Sequence, residues 1–288
     1  MIDMFTAGIL TAGVLGLIQG LTEFLPVSSS AHLIVVPWLF GWKAEGLFFD
    51  VSLHVGTAIA VLAYFWSDWI ALARETICGL AEGKPFANDQ RRLAWLLVVG
   101  TIPAMVVGLM FEKTVEQRLR SPLVTVVTLI GIGFLLYFAD RQGNRDRTIK
   151  NLGLRDSIWI GISQALALIP GVSRSGITIS TALFRDVDRS SAARFSFLLS
   201  TPVIVGASLL EGWHFVKTMR HPVLGQEALL TTPHPWMVLA VGTAMAAITG
   251  FFCIRYFLRY IQRNSFLPFV VYRFVLAGIV LLVYLRSY

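Results

Sequence analysis

The stretch GLIQGLTEFLPVSSSAH, residues 16–32, is greasy enough to lie in hydrocarbon, yet it carries Glu23, three consecutive serines and His32 around a proline. A second stretch, GISQALALIPGVSRSGIT at 161–178, repeats the plan. If one residue is dropped before the proline, Gly16, Gln19 and Pro26 fall on Gly161, Gln164 and Pro170. An ionisable side chain at the centre of a membrane helix costs at least roughly 2.5 to 3.5 kcal/mol, so it usually faces a cavity and marks a function. Irregular backbone at that depth survives only when protein or water covers it. The two loops are therefore the candidate site, and the rest of the chain is the scaffold that brings them together.

Composition supports that reading. Of 288 residues, 56% are hydrophobic and 14% charged, and the mean hydropathy is +0.70. So little polar surface cannot cover a water-soluble globule of this size. A net charge of +7 raises the question of nucleic acid. The basic residues, however, lie between apolar runs rather than in one patch, and they read as topology signals instead. Cys78 and Cys253 are too few for a disulfide framework or a thiolate metal site. The Met-Ile-Asp-Met start has no basic n-region, so no cleaved signal peptide is expected.

The repeat extends beyond the loops. VVGTIPAMVVG at 98–108 resembles AVGTAMAAITG at 240–250, so that Gly100 falls on Gly242. Matches in one order at nearly one offset indicate two related halves, 1–145 and 146–288, within one integral membrane domain. Each half reads as a broken hydrophobic pair followed by three spans. The first has the pair at 5–40 and spans near 49–66, 93–111 and 122–139. The second has the pair at 157–184 and spans near 195–216, 236–257 and 266–285. Three crossings is an odd number, so the halves must be inverted. The predicted fold is an all-α polytopic membrane protein with six transmembrane helices plus two re-entrant helix-loop-helix pairs in an inverted-topology repeat. Starting from outside, Arg and Lys on one face outnumber those on the other by roughly two to one, with Arg174 and Arg273 inside; the richer face is assigned to the cytoplasm. Lys43 and Arg120 count toward the outer face. Both termini are then external.

Broken helices at the midplane present N-termini whose free donors and dipole favour an anion. Ser28, Ser29 and Ser30 on one loop, with Ser173, Ser175 and Thr178 on the other, add hydroxyls. Gly176 permits tight backbone, and Arg174 supplies a planar fork suited to phosphate oxygens. A pocket meant only for an anion gains nothing from Glu23, so a cation or a proton transfer is implied. Gln19 and Glu23, four apart on one helical face, present oxygens to a divalent cation such as Mg²⁺ or Ca²⁺. Hydroxyl, carboxylate and imidazole within ten residues are the parts of phosphoryl transfer. The residues alone leave Ser28, Ser29 or a water open as the attacking group.

Plainer readings stand beside these. Serines after a proline also serve as helix caps, and an intramembrane glutamate also serves as glue paired to an arginine. His54 reads as a packed polar contact, and Asp50, Glu112, Glu116 and Glu211 as solvated span ends. Arg273 needs an internal partner that the sequence does not name. Trp38, Trp42, Trp66, Trp69, Trp213 and Trp236 lie near predicted span ends, as an interfacial belt would.

Over essentially its whole length the chain resembles the bacterial undecaprenyl-pyrophosphate phosphatase family linked to bacitracin resistance. The residues that carry the resemblance are Gln19-Gly20-Leu21-Thr22-Glu23, the Pro-Val-Ser-Ser stretch ending in His32, and the run from Pro170 to Thr178. The resemblance implies a metal-assisted hydrolase that removes the terminal phosphate of a C55 isoprenoid diphosphate in the bacterial plasma membrane, with its site open to the external side. It implies Glu23 as the essential glutamate, Ser29 as nucleophile, His32 as the motif histidine, and Ser173 with Arg174 as the diphosphate clamp. Gln19 takes the alternative allowed at the first acidic position, so this chain has one carboxylate where some relatives have two. Ala31 stands where a glycine is common. Expected partners are the polyprenyl diphosphate and membrane lipids, with no nucleic acid, and a homodimer is compatible with the reading. The competing class is a transporter that flips the lipid monophosphate, since inverted repeats also build transporters; Glu23 and His32 favour chemistry.

Overall fold

Nearly every apolar run becomes a helix, because in hydrocarbon a backbone must satisfy its own donors and acceptors. The computed structural model describes residues 4–42, 47–119, 121–220 and 235–287; Lys43 and Arg120 lie outside the described residues. The helices are α1 (Met4–Phe24), α2 (Ser29–Phe40), α3 (Leu47–Tyr64), α4 (Trp66–Ala81), α5 (Asp89–Leu119) and α6 (Pro122–Arg141). They continue with α7 (Leu154–Ala165), α8 (Arg174–Leu183), α9 (Arg189–Arg220), α10 (Pro235–Ile261) and α11 (Leu267–Ser287). No strand forms among the described residues, only an isolated parallel bridge between Arg147 and Val187.

Among the described residues, five helices are long and apolar enough to cross a membrane, or six if α3 and α4 are one broken span. The chain is a multi-pass membrane protein. Leu109, Met110, Val127, Leu209 and Leu282 are among many large apolar side chains left exposed on its outside, as a lipid-facing belt requires. Trp66, Trp213 and Trp236 are exposed near span ends.

The sequence places a single span at 49–66. α3 fills that span, and the chain bends by 74° at its end, where α3 meets α4. Phe65 is fully buried at the bend, while α4 carries Asp68, Arg74 and Glu75, which belong at a polar boundary. Arg194 of α9 clamps the corner, pairing with Asp68 and lying 5.5 Å from the Phe65 ring centroid.

Close helix contacts interlock the two sequence halves. α1 packs most extensively on α10, and α7 packs on α5. A Cβ on Gly16 would run into the carbonyl of Gly242, and one on Gly161 into the carbonyl of Gly100. Without a hydrophobic drive between helices in lipid, such small-residue approaches supply the packing. Phe24, at the end of α1, meets Phe197 of α9 edge-on at 5.4 Å, which fixes where the first loop begins.

The polar ends are tied by ions. The linker after α6 is held by Asp156, which accepts from Arg147 Nη2 at 2.5 Å, Arg185 Nε at 2.8 Å and the Gly153 amide at 2.9 Å. Burial opposes the charge on Asp156, but these three donors outweigh it and hold the carboxyl below its ordinary range. Asp140, at the end of α6, accepts from Arg189 Nε at 2.6 Å and from the Phe266 amide at 3.0 Å.

Candidate active site

Proline stops the helix on entry to the first loop, while α7 ends at Ala165 and a 3-10 turn over Leu166–Leu168 leads to Pro170 of the second; serine restarts the helix in both. α1 ends at Phe24 just before Pro26, and α2 begins after Ser28; α8 begins after Ser173. Ser28 and Ser173 both adopt the left-handed region, with φ of 77° and 70°, which a residue with a Cβ enters only when its surroundings compel it. Each serine caps its helix, accepting from the Ala31 amide at 3.4 Å and the Gly176 amide at 3.1 Å. Each hydroxyl also meets the serine two residues on, Ser30 at 3.1 Å and Ser175 at 3.2 Å.

The loops then bind each other. The Gly171 amide donates to Ser30 Oγ at 3.3 Å, and Ser175 Oγ donates to the Leu25 carbonyl at 3.0 Å. Arg273, fully buried on α11, fastens both from behind. Its guanidinium donates to the carbonyls of Pro26, Gly171 and Val172, at 3.2, 2.9 and 3.3 Å, and to those of Leu129 and Thr128 on α6. The sequence implies that Arg273 needs a partner. It does not name one because the partners are carbonyls, which every residue has.

On the other side of the joined loops Glu23 gathers the reactive groups. Its Oε2 accepts from Ser29 Oγ at 2.5 Å and Gln19 Nε2 at 3.0 Å. Its Oε1 accepts from Arg174 Nη2, and Arg174 Nη1 donates to the Ser200 carbonyl at 3.1 Å. These groups face a cavity of about 190 Å³. Glu23, Ser28, Ser29, Ser30, Ser173 and Arg174 form its polar wall, with His54 and Gln164; Ala104, Leu168, Val203, Ile204 and Ala207 form an apolar one.

The profile of a family described as "Bacitracin resistance protein BacA" matches residues 12–279. The chain belongs to the BacA family. Among its relatives are proteins named undecaprenyl-diphosphatase from Desulforudis audaxviator, 47% identical over 270 residues (94% of this chain, 95% of the relative), and from Thermomicrobium roseum, 46% identical over 280 residues (94% and 96%). Another protein of that name, from Hahella chejuensis, is 47% identical over 273 residues (94% and 97%).

Within this BacA-family chain the sequence-derived residues divide by position. Glu23, Ser28, Ser29, Ser30, Ser173 and Arg174 stand on the cavity wall. Ser175 and Thr178 stand behind it; Thr178 Oγ1 is held by the Arg174 carbonyl at 2.7 Å and Ser196 Oγ at 2.6 Å. Gly176 is packed tightly against its own cap, since a Cβ there would lie 3.1 Å from Ser173 Cβ. His32 is also off the wall. Its Nδ1 donates to the Ser28 carbonyl at 2.7 Å, its Nε2 meets the Tyr272 hydroxyl at 2.7 Å, and its ring stacks on Tyr272.

His54, read from sequence as packing, lines the cavity instead. Its Nδ1 donates to the Asp50 carbonyl at 2.8 Å, which leaves Nε2 3.8 Å from Glu23 Oε2. Only the fold shows that α3 passes beside the end of α1.

Among the described residues no three His, Cys, Asp or Glu converge as a metal cage. One carboxylate is available, and beside it the buried Gln19 Oε1 has no partner. A carboxylate and an amide oxygen are ligand types that suit Mg²⁺ or Ca²⁺ when phosphate oxygens and water complete the shell; Glu23 stands on the cavity wall and Gln19, fully buried, is off it.

Proposed function

We propose that the chain hydrolyses undecaprenyl diphosphate to the monophosphate and phosphate, recycling the lipid carrier of cell-wall synthesis. The observation that carries the reading is the 2.5 Å hydrogen bond from Ser29 Oγ to Glu23 Oε2 on the wall of a cavity that also presents Arg174. Nearly half of the residues are shared with proteins named undecaprenyl-diphosphatase.

The diphosphate enters the cavity and the lipid continues along the apolar wall. A volume of about 190 Å³ takes the head group and the first carbons only, so most of the C55 tail lies among membrane lipids. Ser29 Oγ attacks the terminal phosphorus as its proton passes to Glu23. The bond from that phosphorus to the bridging oxygen breaks, and the lipid monophosphate leaves with the electron pair. Glu23 hands that proton on to the departing phosphate; water then attacks the phosphoserine, losing a proton to the restored carboxylate, and the serine oxygen leaves phosphorus and takes that proton back, which frees phosphate and restores the serine. Arg174 has N–H donors beyond the two bound to Glu23 and Ser200, and these grip phosphate oxygens. Ser28, Ser30, Ser173, Ser175, Gly176 and Thr178 shape the two caps that complete the grip. His32 steadies the turn by holding the Ser28 carbonyl. A divalent cation bound at Glu23 and the Gln19 amide oxygen would neutralise charge on the phosphoryl oxygens.

The same reading takes the halves 1–145 and 146–288 as inverted repeats, each with a re-entrant pair, with both termini and the cavity mouth external in a bacterial plasma membrane. The matched caps and the crossed glycine contacts support it, and so does the distribution of basic residues. Cysteines placed at either terminus should label from outside intact cells.

Purified protein in detergent, given undecaprenyl diphosphate, is expected to release phosphate. Chelation should stop the release, and Mg²⁺ or Ca²⁺ should restore it. A pure flippase would release none, and that result would overturn the reading.

A further inference from the structure

Gln164 is 1% exposed near the end of α7, and neither its Nε2 nor its Oε1 has a hydrogen-bond partner in the structure. Buried amides are ordinarily bonded, and an exception calls for an explanation. Its twin supplies the contrast. Gln19 stands at the matching place before the first loop and gives its Nε2 to Glu23 four residues on. Four residues after Gln164 comes Leu168, whose side chain accepts nothing.

The space beside it is the cavity. Gln164, Ala167 and Leu168 all line it, spaced so that one face of the chain at the end of α7 presents an amide followed by an apolar step. We infer that Gln164 binds the lipid-proximal phosphate of the substrate, its Nε2 donating to a phosphate oxygen where the head group gives way to the prenyl chain. This rests on the proposed phosphatase reading and names the residue that recognises the half of the diphosphate that is not transferred. An amide suits that role, because Glu23 and Arg174 already balance one another's charge and a neutral donor adds a contact without another ion.

The test uses the full-length protein in detergent with Gln164→Leu, which keeps the volume and removes the unpaired atoms. The expected result is a Tm equal to or above wild type, because an orphaned polar group is gone. KM for undecaprenyl diphosphate should rise about tenfold or more with kcat within about twofold, as loss of a hydrogen bond to a charged group implies. Gln164→Glu should be worse, since it sets a carboxylate against phosphate. Independently of turnover, the Tm rise produced by added undecaprenyl monophosphate should be lost in Gln164→Leu, while the rise produced by inorganic phosphate should persist.

An unchanged KM together with an unchanged lipid-phosphate shift overturns the assignment. A Tm drop that accounts for the lost activity also overturns it, because the amide would then be structural. If wild type releases no phosphate but is stabilised by the lipid monophosphate and Gln164→Leu is not, the binding assignment stands and the phosphatase reading falls.

Discussion

The loop around Ser28 and the loop around Ser173 have nearly the same backbone and opposite chemistry. Both caps sit at positive φ and accept from the amide three residues on, and both contact a second serine two residues on. The position after the cap is Ser29 in one loop and Arg174 in the other, and both side chains reach the same carboxylate, one on each oxygen of Glu23. Ahead of the second loop, just past the end of α7, Leu168 stands where the first loop has its acid. One geometry, used twice, thus sets a hydroxyl and a cation on the two oxygens of one carboxylate. A strained cap is tolerated in both places because it points successive side chains at the partner loop and at the cavity, which a regular helix start would not do.

The sharpest way to break the comparison is to exchange the residues that differ. Ser29→Ala removes the proposed nucleophile, and phosphate release should fall by at least about a thousandfold; Ser30→Ala, which loses a cap contact and keeps the nucleophile, should fall far less in the same assay. Comparable losses from both, or from neither, would remove the distinction between the positions.

Arg174→Lys keeps the charge but not the fork. It should cost about a hundredfold in kcat/KM, since one ammonium cannot hold Glu23, the Ser200 carbonyl and a phosphate together. Activity equal to wild type would show that only the charge matters there.

The reciprocal ties between the loops should count alike. Ser30→Ala and Ser175→Ala each delete one cross-loop hydrogen bond, and each should lower stability by about 1 kcal/mol, read as similar drops in Tm. A large effect from one alone would show that the caps are equivalent in shape and not in strain.

The smallest effect lies at the polar edge beneath the second loop. Asp156 is held charged by Arg147, Gly153 and Arg185, with its carboxyl below the ordinary range. A depressed carboxyl lends stability that is present above its unfolded value and is lost as pH falls toward its folded one. Tm should therefore decline on acidification past the usual carboxylate range, and Asp156→Asn should start lower at neutral pH and show less of that decline.

Much of this was legible because membrane sequences are strongly constrained. An apolar run of about twenty residues has to be a helix, so the spans near 93–111, 122–139, 236–257 and 266–285 needed little beyond hydropathy. Proline and glycine marked the breaks. The intramembrane charges of Glu23 and Arg174 marked the candidate site, because an ion there is too costly to be incidental. The turn into α4 at the end of the span near 49–66 was not legible, since no proline or glycine marks it and Arg194, which holds the corner, is distant in sequence.

By itself the sequence determined the helical membrane architecture, the two polar loops and the chemical types gathered in them, for these follow from local hydropathy, backbone chemistry and the penalty on buried charge. Only the tertiary structure decided which groups share a chamber. It turned His32 away onto Tyr272, brought His54 to Glu23, gave Arg273 its carbonyls and left Gln164 facing the cavity unpaired. Those outcomes depend on how helices far apart in the chain pack and rotate against one another, and no local pattern of residues encodes that angle.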